Sequence, residues 1–150
     1  MTDSHIAEIE RAVQTMLYPD ELYERFLFHL TAAMAAHGAA IWRLEATDKI
    51  SLSASTGPSD EQDREAWDEH RDFIVASIGP GFTGQQIYPP GVQGNPTALV
   101  LLLQKIHARC PLVIEVAQRA DAPPPSLRGY STFLEQMADQ LAQAKCIPWE

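Results

Sequence analysis

Two neighbouring apolar segments, a proline-packed joint and a closing amphipathic helix constrain this chain more than any other feature in it. Residues 97–106 and 111–118 are each strand-length and apolar, and only His107-Ala108-Arg109-Cys110 lies between them. Segments so close together read as sequential strands. Ala122-Pro123-Pro124-Pro125 then stiffens the chain, because each proline ring locks its own φ. From residue 126 to about 145 the apolar positions Leu127, Tyr130, Leu134, Met137, Leu141 and Ala144 recur at a 3-4-3-4-3 spacing, which predicts a helix with one apolar face. Strands that hand over to a terminal helix in this way close an α+β domain of the sensor type, and they point to a binding module more than to a catalyst.

The first half reads as helices followed by a hairpin. Ile6, Ile9, Val13 and Met16 recur at 3-4-3 spacing, which predicts a helix over residues 3–17 with Asp3 or Ser4 as its cap. Tyr18-Pro19-Asp20 breaks the pattern, and Asp20 is the expected cap of a second helix running to about residue 37. That helix has Leu22, Phe26, Leu30 and Met34 along one face and Gly38 as its stop. Residues 39–44 and 49–55 predict a hairpin, with Trp42 and Leu44 on one face and Ile41 and Arg43 on the other. A third helix is expected from Ser59 to about residue 78, with His70 on its apolar side. Residues 81–96 hold four glycines and three prolines among 16 positions. This density predicts a long loop of the kind that forms lids or binding sites.

A chain of 150 residues is the size of one domain with a sizeable core. The division read from the sequence is an N-terminal helix over 1–18, available for dimerisation, a domain over 19–146, and a tail over 147–150. The net charge of −9 repels phosphate backbones and anionic lipid, so neither nucleic acid nor a membrane surface is an expected partner. The longest apolar run, residues 98–103, is far short of the roughly 20 residues that span a bilayer. Met1-Thr2-Asp3-Ser4-His5 lacks the basic and apolar regions of a secretory leader, so the expected location is the cytoplasm.

Specific segments carry a likeness. Asn95-Pro96-Thr97, Glu115-Val116-Ala117-Gln118-Arg119 and the helical Arg128-Gly129-Tyr130-Ser131-Thr132-Phe133-Leu134-Glu135-Gln136-Met137 resemble small bacterial modules of the GAF domain family. The likeness extends over residues 20–143. It implies an α+β, GAF-like and PAS-related fold: a central antiparallel sheet, N- and C-terminal helices packed on one face, and a helix plus a long loop on the other. It also implies a regulatory module, often dimeric through its terminal helices, whose ligands range from cyclic nucleotides and tetrapyrroles to small metabolites, or none. His107-Ala108-Arg109-Cys110-Pro111 departs from the Asp-Gly type of turn usual between the last two strands of such domains. Pro111 also removes a ladder donor, so a frayed or bulged hairpin start is expected there.

Candidate chemistry is sparse. Cys110 lies near His107, but nothing in the sequence orients the imidazole, so no catalytic pair is assigned. Two cysteines are too few for a disulfide framework, and fewer than a GAF-type methionine sulfoxide reductase calls for. The histidines at 5, 29, 37, 70 and 107 are scattered without ligand spacing, so no metal and no cofactor are expected. Glu115 and Arg119 share a strand face, on which Arg43 is also expected, and charges there need partners. They are either an ion pair at the sheet margin or polar anchors in a cavity beneath the 81–96 loop. In the second reading Phe82, Gln86, Tyr88 and Asn95 add contacts to a small-molecule ligand. The apolar stripes of the terminal helices exceed what one sheet face needs. A homodimer through Ile6, Ile9, Val13, Met16, Tyr130, Leu134, Met137 and Leu141 is the expected use of the surplus. The function read from these features is a non-enzymatic sensory domain. The alternative is a ligand-free dimerisation or docking scaffold.

Overall fold

The computed structural model describes residues 2–15, 18–34, 36–46, 49–56, 72, 74–76, 85–88, 99–106, 112–119 and 124–144. Two helices, α1 (Thr2–Gln14) and α2 (Pro19–Met34), precede the strands β1 (Gly38–Ala46) and β2 (Lys49–Thr56). A helical segment, α3, follows at Asp72 and residues 74–76. The chain then forms β3 (Gln85–Tyr88), β4 (Leu99–Ile106), β5 (Leu112–Arg119) and the closing helix α4 (Pro124–Leu141). Every strand pairing is antiparallel, in the order β2-β1-β5-β4-β3.

The starts of α2 and α4 differ from those expected, for one reason. The first four N–H groups of a helix have no partner within it, so proline is tolerated there and its fixed φ favours the turn. α2 accordingly begins on Pro19, with the Tyr18 carbonyl accepting the first bond from the Leu22 N–H at 3.0 Å. Asp20 sits inside the first turn rather than capping it, where its carboxylate suits the positive end of the helix dipole. α4 likewise begins on Pro124 rather than Ser126, and α1 on Thr2, ahead of Asp3 and Ser4.

The largest revision falls within residues 81–96. Expected as loop throughout, this stretch contains β3, which pairs with β4 from Gln85↔Gln104 to Tyr88↔Leu101. Glycine and proline bracket the Gln85-Gln86-Ile87-Tyr88 segment without entering it, and four residues suffice for a short edge strand. The bracketing residues lie outside those described, as do residues 107–111 and the expected fraying at Pro111. From Leu112 onward β5 runs against β4 without a register slip. β1 and β2, by contrast, slip between Ile41 and Trp42 and again between Leu44 and Ala46.

The main core lies on one face of the sheet. Ile41 of β1, Leu102 of β4 and Ile114 of β5 are fully enclosed there beneath α1, α2 and α4. The helices contribute Ile9 and Val13, then Phe26, Leu27 and Leu30, then Leu134, Met137 and Leu141. The two stripes expected to pair with a second copy are therefore occupied within the chain. Ile9, Leu134 and Leu141 have no solvent exposure at all, and Ile6 and Tyr130 are partly buried against the same cluster. Met16 lies outside the described residues. α1 packs on α2 and also meets α4, so the stripes of the three helices close on one another within one chain. Among the described residues, no helix is long and apolar enough to cross a membrane.

Leu134→Ala is expected to lower the unfolding free energy by about 2–5 kcal/mol, read from urea denaturation, while light scattering returns the wild-type mass. Loss of a dimer at unchanged stability would instead put Leu134 between copies.

Candidate functional site

The opposite sheet face carries a smaller apolar layer with a carboxyl group inside it. β5 is the middle strand, so its side chains are enclosed on both faces, and the alternation of a strand sends Val113 and Glu115 to this second side. Trp42 is enclosed there with Ala40, Ile50, Leu101, Leu103 and Val113, and Ile74 of α3 covers them. Glu115 is only 5% exposed. The Trp42 indole N–H donates to Glu115 Oε1 at 2.7 Å, within the buried layer. This is a short bond for an N–H donor, as expected when a carboxyl oxygen accepts away from water. Both residues also take part in a further interaction.

Strand register sets one row of positions across the sheet. Gln86 pairs with Leu103, Leu103 with Glu115, and Glu115 with Ala40. Tyr88 pairs with Leu101, which pairs with Ala117, in the parallel row. Three of the expected ligand residues, Gln86, Tyr88 and Glu115, thus occupy neighbouring register positions. The side chains of Gln86, Tyr88 and Arg119 lie outside those described, as do Phe82 and Asn95 entirely. Arg43 does not join Glu115. It pairs with Leu112, a residue of the helix-side core, and its side chain is exposed. An antiparallel ladder carries directly paired residues on the same face, so Arg43 belongs to the other side of the sheet.

Two polar connections that sequence reasoning missed lie toward the helices. Gln118 Nε2 donates to the Met34 carbonyl at 3.1 Å, closing an orphan acceptor at the C-terminus of α2. Nearby the Ala36 N–H reaches Thr31 O at 3.0 Å and the His37 N–H reaches Ala117 O at 2.8 Å. Gln85 Nε2 donates both to Gln104 Oε1 at 2.8 Å and to the Ser131 carbonyl at 2.9 Å, tying the edge strand to its neighbour and to α4. A glutamine in each of two facing segments was the available signal, but neither gives its partner away before the register is known.

A concavity of about 410 Å³, open to solvent, lies between α2 and the end of β2. Its walls are Glu24, Arg25, Phe28, His29, Ser55 and Thr56, and none of the expected ligand residues is among them. His107, Cys110, Cys146 and His70 lie outside the described residues. Among the described residues, no group of three or more His, Cys, Asp or Glu side chains is placed to hold a metal ion.

Trp42→Phe leaves Glu115 Oε1 without its indole donor, at an expected cost of about 1–3 kcal/mol in urea unfolding. Combined with Glu115→Leu, the two losses are expected to fall short of additivity by at least about 0.5 kcal/mol. Strict additivity would mean that the two side chains are not coupled.

No family model matches the sequence, and no curated protein matches it. Solved structures do match in shape. The A. Aeolicus nlh2 GAF domain in an inactive state superposes with a TM-score of 0.69 at 14% identity, covering 94% of this chain and 93% of that one. The GAF domain/HD domain protein from Geobacter sulfurreducens gives 0.58 at 14% identity, covering 92% and 99%. The phycoerythrobilin-bound GAF domain from a cyanobacterial phytochrome gives 0.57 at 10% identity, covering 96% and 95%. The chain has the GAF fold, as its sequence motifs imply.

Proposed function

We propose that this GAF-fold domain is a non-enzymatic regulatory module that takes a small molecule on the Glu115 face of its sheet and passes the effect to its terminal helices. The observation that carries this reading is the buried Glu115 carboxyl, held by an indole N–H inside an apolar layer. Apolar walls with a few placed polar groups are the usual chemistry of small-molecule sites. Gln86 and Tyr88 stand in the adjoining register rows, and with Phe82, Asn95 and Arg119 they are the proposed further contacts. Arg43, on the other side, is left out. A solved domain of similar shape is bound to phycoerythrobilin, an instance of the same fold taking a small organic ligand. The net charge of −9 favours a neutral or cationic ligand and disfavours nucleic acid.

The proposed route runs through β5. Glu115 faces the ligand side, while Ile114, Val116 and Gln118 of the same strand contact the helix layer. A shift of β5 therefore meets α2 directly and α1 and α4 through the shared core. Dimerisation through the terminal helices remains part of the proposal, now through their outward surfaces. Of the residues first assigned to that contact, Ile6 and Tyr130 keep partial exposure.

One observation favours a second reading. The Glu115 carboxyl already accepts from the Trp42 indole, and both residues make a further interaction, as a ligand-free docking or dimerisation scaffold would require. Thermal-shift screening of metabolites with light scattering separates the two. The sensor reading expects a compound that raises the melting temperature of the wild type, with binding weakened at least about tenfold in Glu115→Ala at unchanged mass. A chain whose melting is indifferent to every compound, or whose ligand binds Glu115→Ala equally well, moves Glu115 into a purely structural role.

A further inference from the structure

α1 meets α2 along a seam that holds two titratable rings in contact. His5 Nδ1 and His29 Nδ1 are 3.0 Å apart, with ring centroids separated by 5.2 Å and planes tilted by 45°. Phe28 and His29 also meet edge to face, with centroids 5.0 Å apart and planes at 84°. Read along the sequence the histidines are scattered, yet folding brings these two, 24 residues apart, into direct contact.

A nitrogen–nitrogen contact of this length needs a hydrogen on one ring and a lone pair on the other. That requirement makes the contact sensitive to the number of protons on the pair. With both rings neutral, one donates from Nδ1 and the other accepts at Nδ1. A first added proton goes to Nε2 of the donor ring and leaves the shared bond in place. A second must go to the accepting Nδ1, which abolishes the acceptor and sets two positive rings against each other. The contact therefore depends on how many protons the pair holds, and only the second one removes the acceptor.

The surroundings bear on that second step. On α1, Glu8 attracts a proton to His29, but Glu8 is itself engaged by Arg11 at 3.1 Å. On α2, Arg25 repels a proton, and Glu24 stands with it in the groove wall. β2 contributes the uncharged Ser55 and Thr56 to the same groove. α4 carries Glu135 and Asp139, both exposed. The balance holds His29 below the ordinary imidazole value of 6.5, chiefly through burial and then through His5. The groove opens His29 to solvent, so protons reach it without unfolding of the domain.

We propose that the His5–His29 contact is a proton-sensitive latch that ties α1 to α2 at neutral pH and releases that tie when both rings are charged. For a histidine whose folded value is depressed, the stabilisation is complete above the unfolded value near 6.5 and is lost as pH falls through the folded value. Release therefore belongs to mildly acidic conditions and targets α1 alone among the three helices of the layer. It does not depend on a ligand at Glu115.

The test follows hydrogen exchange of α1 and α4 amides in the whole chain from pH 7.5 to 5.0, corrected for intrinsic exchange rates, with an NMR titration of the imidazoles alongside. Protection of α1 is expected to fall by about threefold or more while α4 holds, and His29 is expected to titrate below 6.5. In His5→Gln the His29 titration should move upward and the selective loss from α1 should disappear. His29→Gln should abolish that loss as well. Protection of α1 that is independent of pH, an equal fall in α1 and α4, or the same selective fall in both variants would overturn the proposal.

Discussion

The structure depends on a strand that has no solvent side. β5 lies third in a sheet of five, with β1 and β4 hydrogen-bonded along its edges, helices α1, α2 and α4 over one face and α3 over the other. A polar side chain in such a place costs several kcal/mol unless it finds a partner. Among its described side chains β5 buries Glu115 and Gln118, three residues apart and therefore on opposite faces. Glu115 is met by the Trp42 indole, and Gln118 by the carbonyl that ends α2. Each bond fixes something larger than itself. One orients the largest side chain of the smaller apolar layer, and the other sets where α2 ends against the sheet.

This arrangement explains the Glu-Val-x-Gln-Arg segment physically. Glu and Gln are spaced to serve opposite layers, and Val116 between them fills the helix-side core. The helix side is a continuous apolar core. The Glu115 side contains the one carboxyl buried among the described residues. Coupling between the sides has a short physical route, because neighbouring residues of one strand serve both.

The helix layer has its own asymmetry. α2 and α4 are joined to the sheet by polar connections as well as by packing, through Gln118 to Met34 and through Gln85 to Ser131. α1 is held chiefly by its apolar stripe and by the histidine contact with α2. Surface ion pairs such as Glu8–Arg11 add little to such a seam. The histidine contact thus gives α1 a titratable tie to α2.

Much of this was legible in the chain itself, because local pattern is what a sequence records directly. The largely apolar segments at 97–106 and 111–118 declare strands, the 3-4 periodicity of α2 and α4 declares helices with one buried face, and the quoted motifs imply the fold that the superpositions bear out. What periodicity leaves open is the identity of the neighbour. The stripes of α1 and α4 could be read as meeting a second copy, and only the packing shows that they close on α2 and on each other. Arg43 and Glu115 share no local relation, so the pairing of Arg43 with Leu112 was needed to put them on opposite faces. β3 was hidden among glycines and prolines because its stability comes from β4 and from the Gln85 bonds, not from its own four residues. Local residue chemistry thus determined which segments become helices and strands. The tertiary structure decided which faces meet, since that depends on register and on contacts between residues far apart in the chain.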